Sequence, residues 1–164
     1  MKKIVVILLM FIVTMFSFAK GNYVPHIVKN PEIVFTAQTK NSDKIVTVYK
    51  EGEHLIYTFG KEGKSEIEIV GVPERNLFKN FGDWDGNAMG HFLVFKNMNF
   101  TYVISYFDSE KPLYRLEVYK DKNHKPLYSK ELENNTVTNK IIADSTYYDS
   151  LSEDPEYDEY YMNW

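Results

Sequence analysis

The chain has 164 residues, of which 26% are charged, a formal net charge of -4 and no cysteine. A chain of this length buries enough surface to fold without covalent staples, and it offers no thiol as a nucleophile or soft metal ligand. Its acids are unevenly placed. Asp144, Asp149, Glu153, Asp154, Glu156, Asp158 and Glu159 crowd into the last stretch with no base among them. What precedes is close to neutral, which gives no electrostatic footprint for nucleic acid.

The first residues, Met1-Lys2-Lys3, lead into an apolar run from Ile4 to Ala19 broken only by Thr14 and Ser17. Two lysines, a short apolar core and the ending Ser17-Phe18-Ala19 predict a secretory signal peptide over residues 1–19, cleaved after Ala19. The run is shorter than the roughly 20 residues that cross a bilayer comfortably, so no membrane span is expected after cleavage. The expected location is periplasmic or extracellular. Without a cysteine at the junction, a lipoprotein is excluded.

From residue 32 onward apolar residues recur every second position. This spacing predicts strands at 32–38, 44–50, 54–59, 65–70, 91–96, 99–107, 113–120 and 126–132. Ile67 and Ile69 flank Glu68, and Tyr114, Leu116 and Val118 alternate with Arg115 and Glu117. Short polar breaks such as Glu51-Gly52-Glu53 and Lys61-Glu62-Gly63-Lys64 suit hairpin turns. The expected class is therefore all-β, an eight-stranded antiparallel meander closing as a small barrel or sandwich. Residues 20–143 form this β domain, and a closed eight-stranded barrel would have an interior filled with side chains.

Residues 71–90 interrupt the rhythm as the longest connection, with one helical turn expected at Pro73 to Lys79. This segment holds Asp83-Trp84-Asp85-Gly86-Asn87, the candidate binding loop: Asp83, Trp84, Asp85 and Asn87. A tryptophan between glycines is either an interface anchor or a plug for one end of the barrel. The acids resemble the start of a calcium loop. However, the sixth and twelfth positions counted from Asp83 are Ala88 and Val94, where an EF-hand requires Gly and Glu. Beyond residue 144 the acidic, tyrosine-rich segment lacks periodicity, and charge repulsion favours disorder there.

The chemistry of an enzyme is not legible. Gly60-Lys61-Glu62-Gly63-Lys64-Ser65 lacks the first glycine of a phosphate loop and precedes a strand where a helix is required. The histidines His26, His54, His91 and His124 have no metal-ligand spacing. No serine sits in a nucleophile elbow. Glu66 and Glu68 alternate with core isoleucines, as a solvated strand face does. No catalytic residue, metal or cofactor is expected.

Tyr57-x-Phe59-Gly60-Lys61-x-Gly63-Lys64-x-Glu66-Ile67, Phe95-x-Asn97 and Tyr102-x-x-x-Tyr106 resemble motifs of a group of uncharacterised small exported bacterial β-rich proteins, over roughly residues 33–133. The wider architecture is similar to periplasmic lysozyme inhibitors, eight-stranded barrels that push a loop into a muramidase cleft. The chain lacks their Ser-Gly-x-x-Tyr loop. The 82–90 loop, through burial of Trp84 and neighbouring tyrosines, implies a protein-binding module of the cell envelope, inhibitor- or immunity-like, its acidic tail steering a basic partner such as a lysozyme. The alternative is a structural or surface-associated module attached through its acidic tail.

Overall fold

The computed structural model describes residues 32–84, 88–121, 123–141 and 145–156; the predicted leader lies outside them. The described residues form an all-β sandwich of two five-stranded antiparallel sheets. Sheet 1 contains β1 (Glu32–Gln38), β2 (Lys44–Glu51), β3 (His54–Lys61), β4 (Lys64–Gly71) and β10 (Thr138–Asn139), in the order β10-β1-β2-β3-β4. Sheet 2 contains β5 (Leu77–Trp84), β6 (Ala88–Asn97), β7 (Phe100–Asp108), β8 (Leu113–Lys120) and β9 (Tyr128–Glu131), in sequence order. A helix, α1 (Ser145–Ser150), follows.

Three expectations change. Of the two expected closures the sandwich holds and the barrel does not, and the described residues form ten strands rather than eight. The supposed long loop over 71–90 contains all of β5, paired with β6 from Leu77↔Phe95 to Trp84↔Ala88. Only Val72–Asn76 is a turn, so the helical turn expected at Pro73 to Lys79 is absent. Asn76 makes that turn tight: its side chain accepts from the Val72 N–H at 2.8 Å and donates to the Val70 and Lys96 carbonyls. The acidic segment was expected to be disordered, yet residues 145–156 are ordered against the body.

The main core lies between the sheets. Phe35, Val46, Val48, Leu55, Tyr57 and Ile69 of sheet 1 meet Leu77, Leu93, Phe95, Tyr102, Ile104 and Leu116 of sheet 2. Tyr57 is the pivot, its ring centroid 5.4 Å from those of both Phe95 and Tyr102. Aromatic pairs at this separation and tilt gain beyond simple burial. Gly71 is where the sheets come closest on the β4 side: a Cβ there would stand 2.8 Å from the Phe95 ring and 3.0 Å from the Leu55 carbonyl oxygen. On the opposite side Thr39 bridges Leu132, and Glu133 N–H donates to the Gln38 carbonyl.

A second apolar cluster occupies the other face of sheet 2: Phe78, Phe92, Val94, Val103, Phe107 and Tyr119. Gly90 is part of its construction, because a Cβ there would lie 2.7 Å from the Phe92 ring and 3.2 Å from that of Phe107.

The C-terminal segment binds the β5 edge. Leu151 enters the main core, Lys79 N–H donates to the Ser152 carbonyl, and Asp154 N–H donates to the Lys79 carbonyl. The outer edge of β5 is thus covered, one of the ways native sheets avoid edge pairing.

Candidate functional site

The face of sheet 2 that forms the core does not stay buried along its length. On β6, Phe95 and Leu93 are fully buried, His91 is half-buried and Met89 is 48% exposed. On β5, Leu77 is buried while Phe81 is 53% exposed. The core face therefore emerges into solvent toward the β5–β6 turn.

Register assembles a row of rings at this emergence. Phe81 pairs with His91, His91 with Tyr106 and Tyr106 with Tyr114, each on a neighbouring strand. Side chains directly opposite in antiparallel strands stand on one face within contact distance. His91 and Tyr106 stack with centroids 5.9 Å apart and 21° between planes. Tyr106 and Tyr114 stack at 4.8 Å and 25°. Tyr114 leans on Phe35 of the core at 6.3 Å, and Tyr148 of α1 meets His91 edge-on at 5.9 Å. Tyr148 is held in turn: its hydroxyl donates to the Asn80 carbonyl at 2.6 Å and accepts from the Phe92 N–H at 3.1 Å. The His91 Nδ1 atom is buried among these rings without a hydrogen-bond partner.

The rim is acidic. Asp108 lies opposite Met89, and the Tyr106 hydroxyl donates to its Oδ1 at 3.3 Å. Burial, then the Asp108 carboxylate and Tyr114, holds the Tyr106 phenol above its ordinary pKa, so it stays a donor. Exposed Glu110 follows in the β7–β8 turn at the same end. Flat rings beside carboxylates can stack on a cationic or planar group and anchor it by charge. Among the described residues no group of three or more His, Asp or Glu is placed to hold a metal ion.

Of the residues singled out from sequence, Asp83 and Trp84 are described only through their backbone, as the last two residues of β5 paired with Met89 and Ala88. Asp85 and Asn87 lie outside the described residues, between β5 and β6. The pairing of β5 with β6 runs up to Trp84↔Ala88, at the end of sheet 2 that bears the ring row. Phe81, Met89, His91, Tyr106 and Tyr114 were not singled out as a site. Tyr106 and Tyr114 were legible as strand residues on one face, but only the pairing register shows that they align with His91. Phe81 sat in a stretch whose Asn, Gly and Asp suggested a loop.

The fold and site together define a two-sheet antiparallel sandwich with an aromatic, acid-rimmed end. In comparisons with protein-family models, curated proteins and solved structures, nothing matches the chain. Among the described residues no helix is long and apolar enough to cross a membrane.

Proposed function

We infer that this chain is an exported, non-enzymatic protein-binding module of the cell envelope, inhibitor- or immunity-like, which holds a basic protein partner at the β5–β6 end of sheet 2. One observation carries this: Phe81 and Met89, each about half exposed, extend a stacked row of His91, Tyr106 and Tyr114 into solvent beside Asp108. Large exposed aromatics next to rigid, already ordered neighbours bind at low entropic cost, and aromatic residues are enriched at interfaces. The backbone of Asp83 and the acids Asp108 and Glu110 sit at the same end of sheet 2, and this acidity would steer a positively charged partner. Asp83 and Trp84 are the last residues of β5 at this end, and the sequence-predicted loop residues Asp85 and Asn87 follow them in the chain.

The direct test is binding of the full chain to a basic lysozyme, measured by biosensor alongside its effect on cell-wall lysis. Saturable binding is expected, weakened roughly tenfold or more by Phe81→Ala, as for a hot-spot aromatic. If lysozyme does not bind and envelope proteins retained by the chain are the same for wild type, Phe81→Ala and Trp84→Ala, the proposal fails. The alternative, a structural module attached through its acidic tail, has less behind it, because residues 145–156 are already engaged with the body.

A further inference from the structure

The end of β6 away from the ring row opens on a cleft of about 560 Å³, a size typical of small-ligand sites. It lies between the Val72–Asn76 turn and the two-residue turn Met98–Asn99 that joins Asn97 to Phe100. Met89, beside the ring row, and Asn97 stand at opposite ends of this strand, roughly 26 Å apart, so the two sites are separate.

The floor of the cleft is fixed. The Asn76 side chain accepts from the Val72 N–H and donates to the Val70 and Lys96 carbonyls, and the Asn76 carbonyl accepts from the Lys96 N–H at 2.8 Å. A site already ordered before binding loses little entropy on filling. Val70 and Val72 make this floor partly apolar, and Val70 is 39% exposed.

Both lips are strained. Glu74 in one turn and Met98 in the other have φ of 63° and 55°, the left-handed region that a bulky side chain seldom enters. Hairpin turns usually give such a position to glycine or asparagine. Met98 is also 97% exposed, so no burial of its side chain offsets the strain. Strain kept where the fold gains nothing from it points to a function for the side chain.

The lining contains cations and no acid. Lys96 is the latch that holds the C-terminal segment on β6: its Nζ binds Asp154 at 2.6 Å and Glu156 at 2.7 Å, so its charge is already met. Arg75 differs. It is exposed, and among the described residues its guanidinium has no acid or carbonyl partner; the Asn97 carboxamide is equally unengaged. A guanidinium takes a carboxylate through two parallel N–H···O bonds. The apolar floor and the thioether lip beside it select an acid that carries an aliphatic group next to its carboxylate. The end of a peptide chain has that form, and capture of a terminal carboxylate is a recurring mode of peptide recognition.

We propose that the cleft binds the carboxy-terminus of a peptide: Arg75 forks onto the carboxylate, the Asn97 carboxamide bonds the last peptide group, and Val70, Val72 and Met98 hold an aliphatic last side chain. The site does not depend on the basic-partner reading of the ring row.

The test is a titration of the full chain, followed by amide NMR shifts, with the peptide acetyl-Gly-Gly-Ala-Leu ending in a free carboxylate. Saturable shifts are expected at Val70, Val72, Arg75, Asn97 and Met98 and not at His91 or Tyr106. The same peptide ending in an amide should bind roughly tenfold more weakly or worse. So should the free acid on Arg75→Gln, a surface change that leaves the fold intact. Met98→Gly should also weaken binding while raising the melting temperature, because glycine relieves the strained φ and removes the lip. No saturation by about 5 mM, where even a site with a Kd of about 1 mM would be mostly filled, overturns the proposal. Equal binding of the amide or unchanged affinity in Arg75→Gln does the same. Acetyl-leucine binding as tightly as the tetrapeptide would make the ligand a free small acid and would equally rule the peptide site out.

Discussion

The two sheets are built from similar residues but face different surroundings. Sheet 1 is dry mainly on one face: Val46 and Val48 of β2 point into the core, while the alternating Ile45, Thr47 and Tyr49 are half-buried and Ile56 of β3 is the buried exception on their side. Its outer face carries a row of threonines, Thr138, Thr36, Thr47 and Thr58, paired strand to strand. Sheet 2 is dry on both faces. Residues Thr101 to Ser105 of β7 are all buried, as are Phe92 to Phe95 of β6. A sheet with one solvated face alternates in sequence, and a sheet buried on both faces reads as a continuous apolar run.

The largest predicted effects probe whether the two faces of sheet 2 are equally important. Phe95→Ala, on the inner face against Tyr57 and Gly71, should cost about 3–5 kcal/mol in urea unfolding, the usual range for a buried Phe truncated to Ala. Phe92→Ala, three residues earlier on the same strand and on the outer face, should cost a similar amount. If Phe92→Ala costs less than about 1 kcal/mol, the outer face is not a core and the comparison breaks.

Next is the latch. Burial works to lower the Lys96 pKa, but the hydrogen bonds it donates to the Asp154 and Glu156 carboxylates outweigh it and hold the ammonium above its ordinary value. The Asp154 side chain is fully buried and Lys96 is a fifth exposed. Lys96→Met would leave the Asp154 carboxylate buried and uncompensated, at a cost of about 3 kcal/mol, the lower end for such a loss because Lys96 is partly hydrated. The same variant should speed amide exchange in residues 152–154, which a purely local surface ion pair would not.

What sequence could and could not reveal follows the same division. β2, β3 and β4 were legible because Val46/Val48, Leu55/Tyr57/Phe59 and Ile67/Ile69 recur at every second position with Thr47, Thr58 and Glu68 among the residues between them, the buried Ile56 being the exception. β5 was not, because Leu77 enters one core and Phe78 the other, so adjacent apolar residues carry no period of two. Asn80 and Gly82 added a turn-like composition, although Asn80 serves as a buried acceptor for Asp154 N–H. The acidic terminus looked like a chain that charge repulsion would keep apart. In the fold Lys96 neutralises two of its carboxylates, and Tyr148 and Leu151 are buried. The stretch Asp83 to Asn87 stood out by composition, whereas the ring row needed cross-strand register that no local pattern contains.

Acidity separates the sheets more gently. On sheet 2 burial raises the Glu117 pKa, only partly opposed by hydrogen bonds from Ser129 and Tyr119 and by the charge of Arg115. A carboxyl whose folded value lies above its unfolded one binds protons better when folded. Its contribution is fully present below the unfolded pKa and is lost as pH rises through the folded value. Glu117→Gln should therefore raise the melting temperature at neutral pH, leave it nearly unchanged at low pH, and flatten the profile between. On sheet 1 the Asp43 carboxylate is held low by Lys61, so its contribution runs the other way and is lost as pH falls. A Glu117→Gln variant less stable than wild type at neutral pH would mean that the ionised carboxylate is favourably solvated and that the outer face is wet.

The smallest effect comes from exchanging the same two side chains in opposite directions. Thr47 stands in the threonine row of sheet 1, its hydroxyl 3.2 Å from that of Thr36. Thr47→Val keeps the branched shape and trades one partly hydrated hydrogen bond for slightly more apolar surface, so stability should move by no more than about 0.5 kcal/mol. Val94 on the outer face of sheet 2 is 0% exposed and lies between Phe78 and Val103 across the strands. Val94→Thr puts a hydroxyl among apolar partners and should cost about 1–3 kcal/mol, the desolvation of an unsatisfied donor. Denaturant midpoints of the two variants check this directly. Equal shifts would mean that both outer faces meet water alike, and the distinction between a one-faced and a two-faced sheet would collapse.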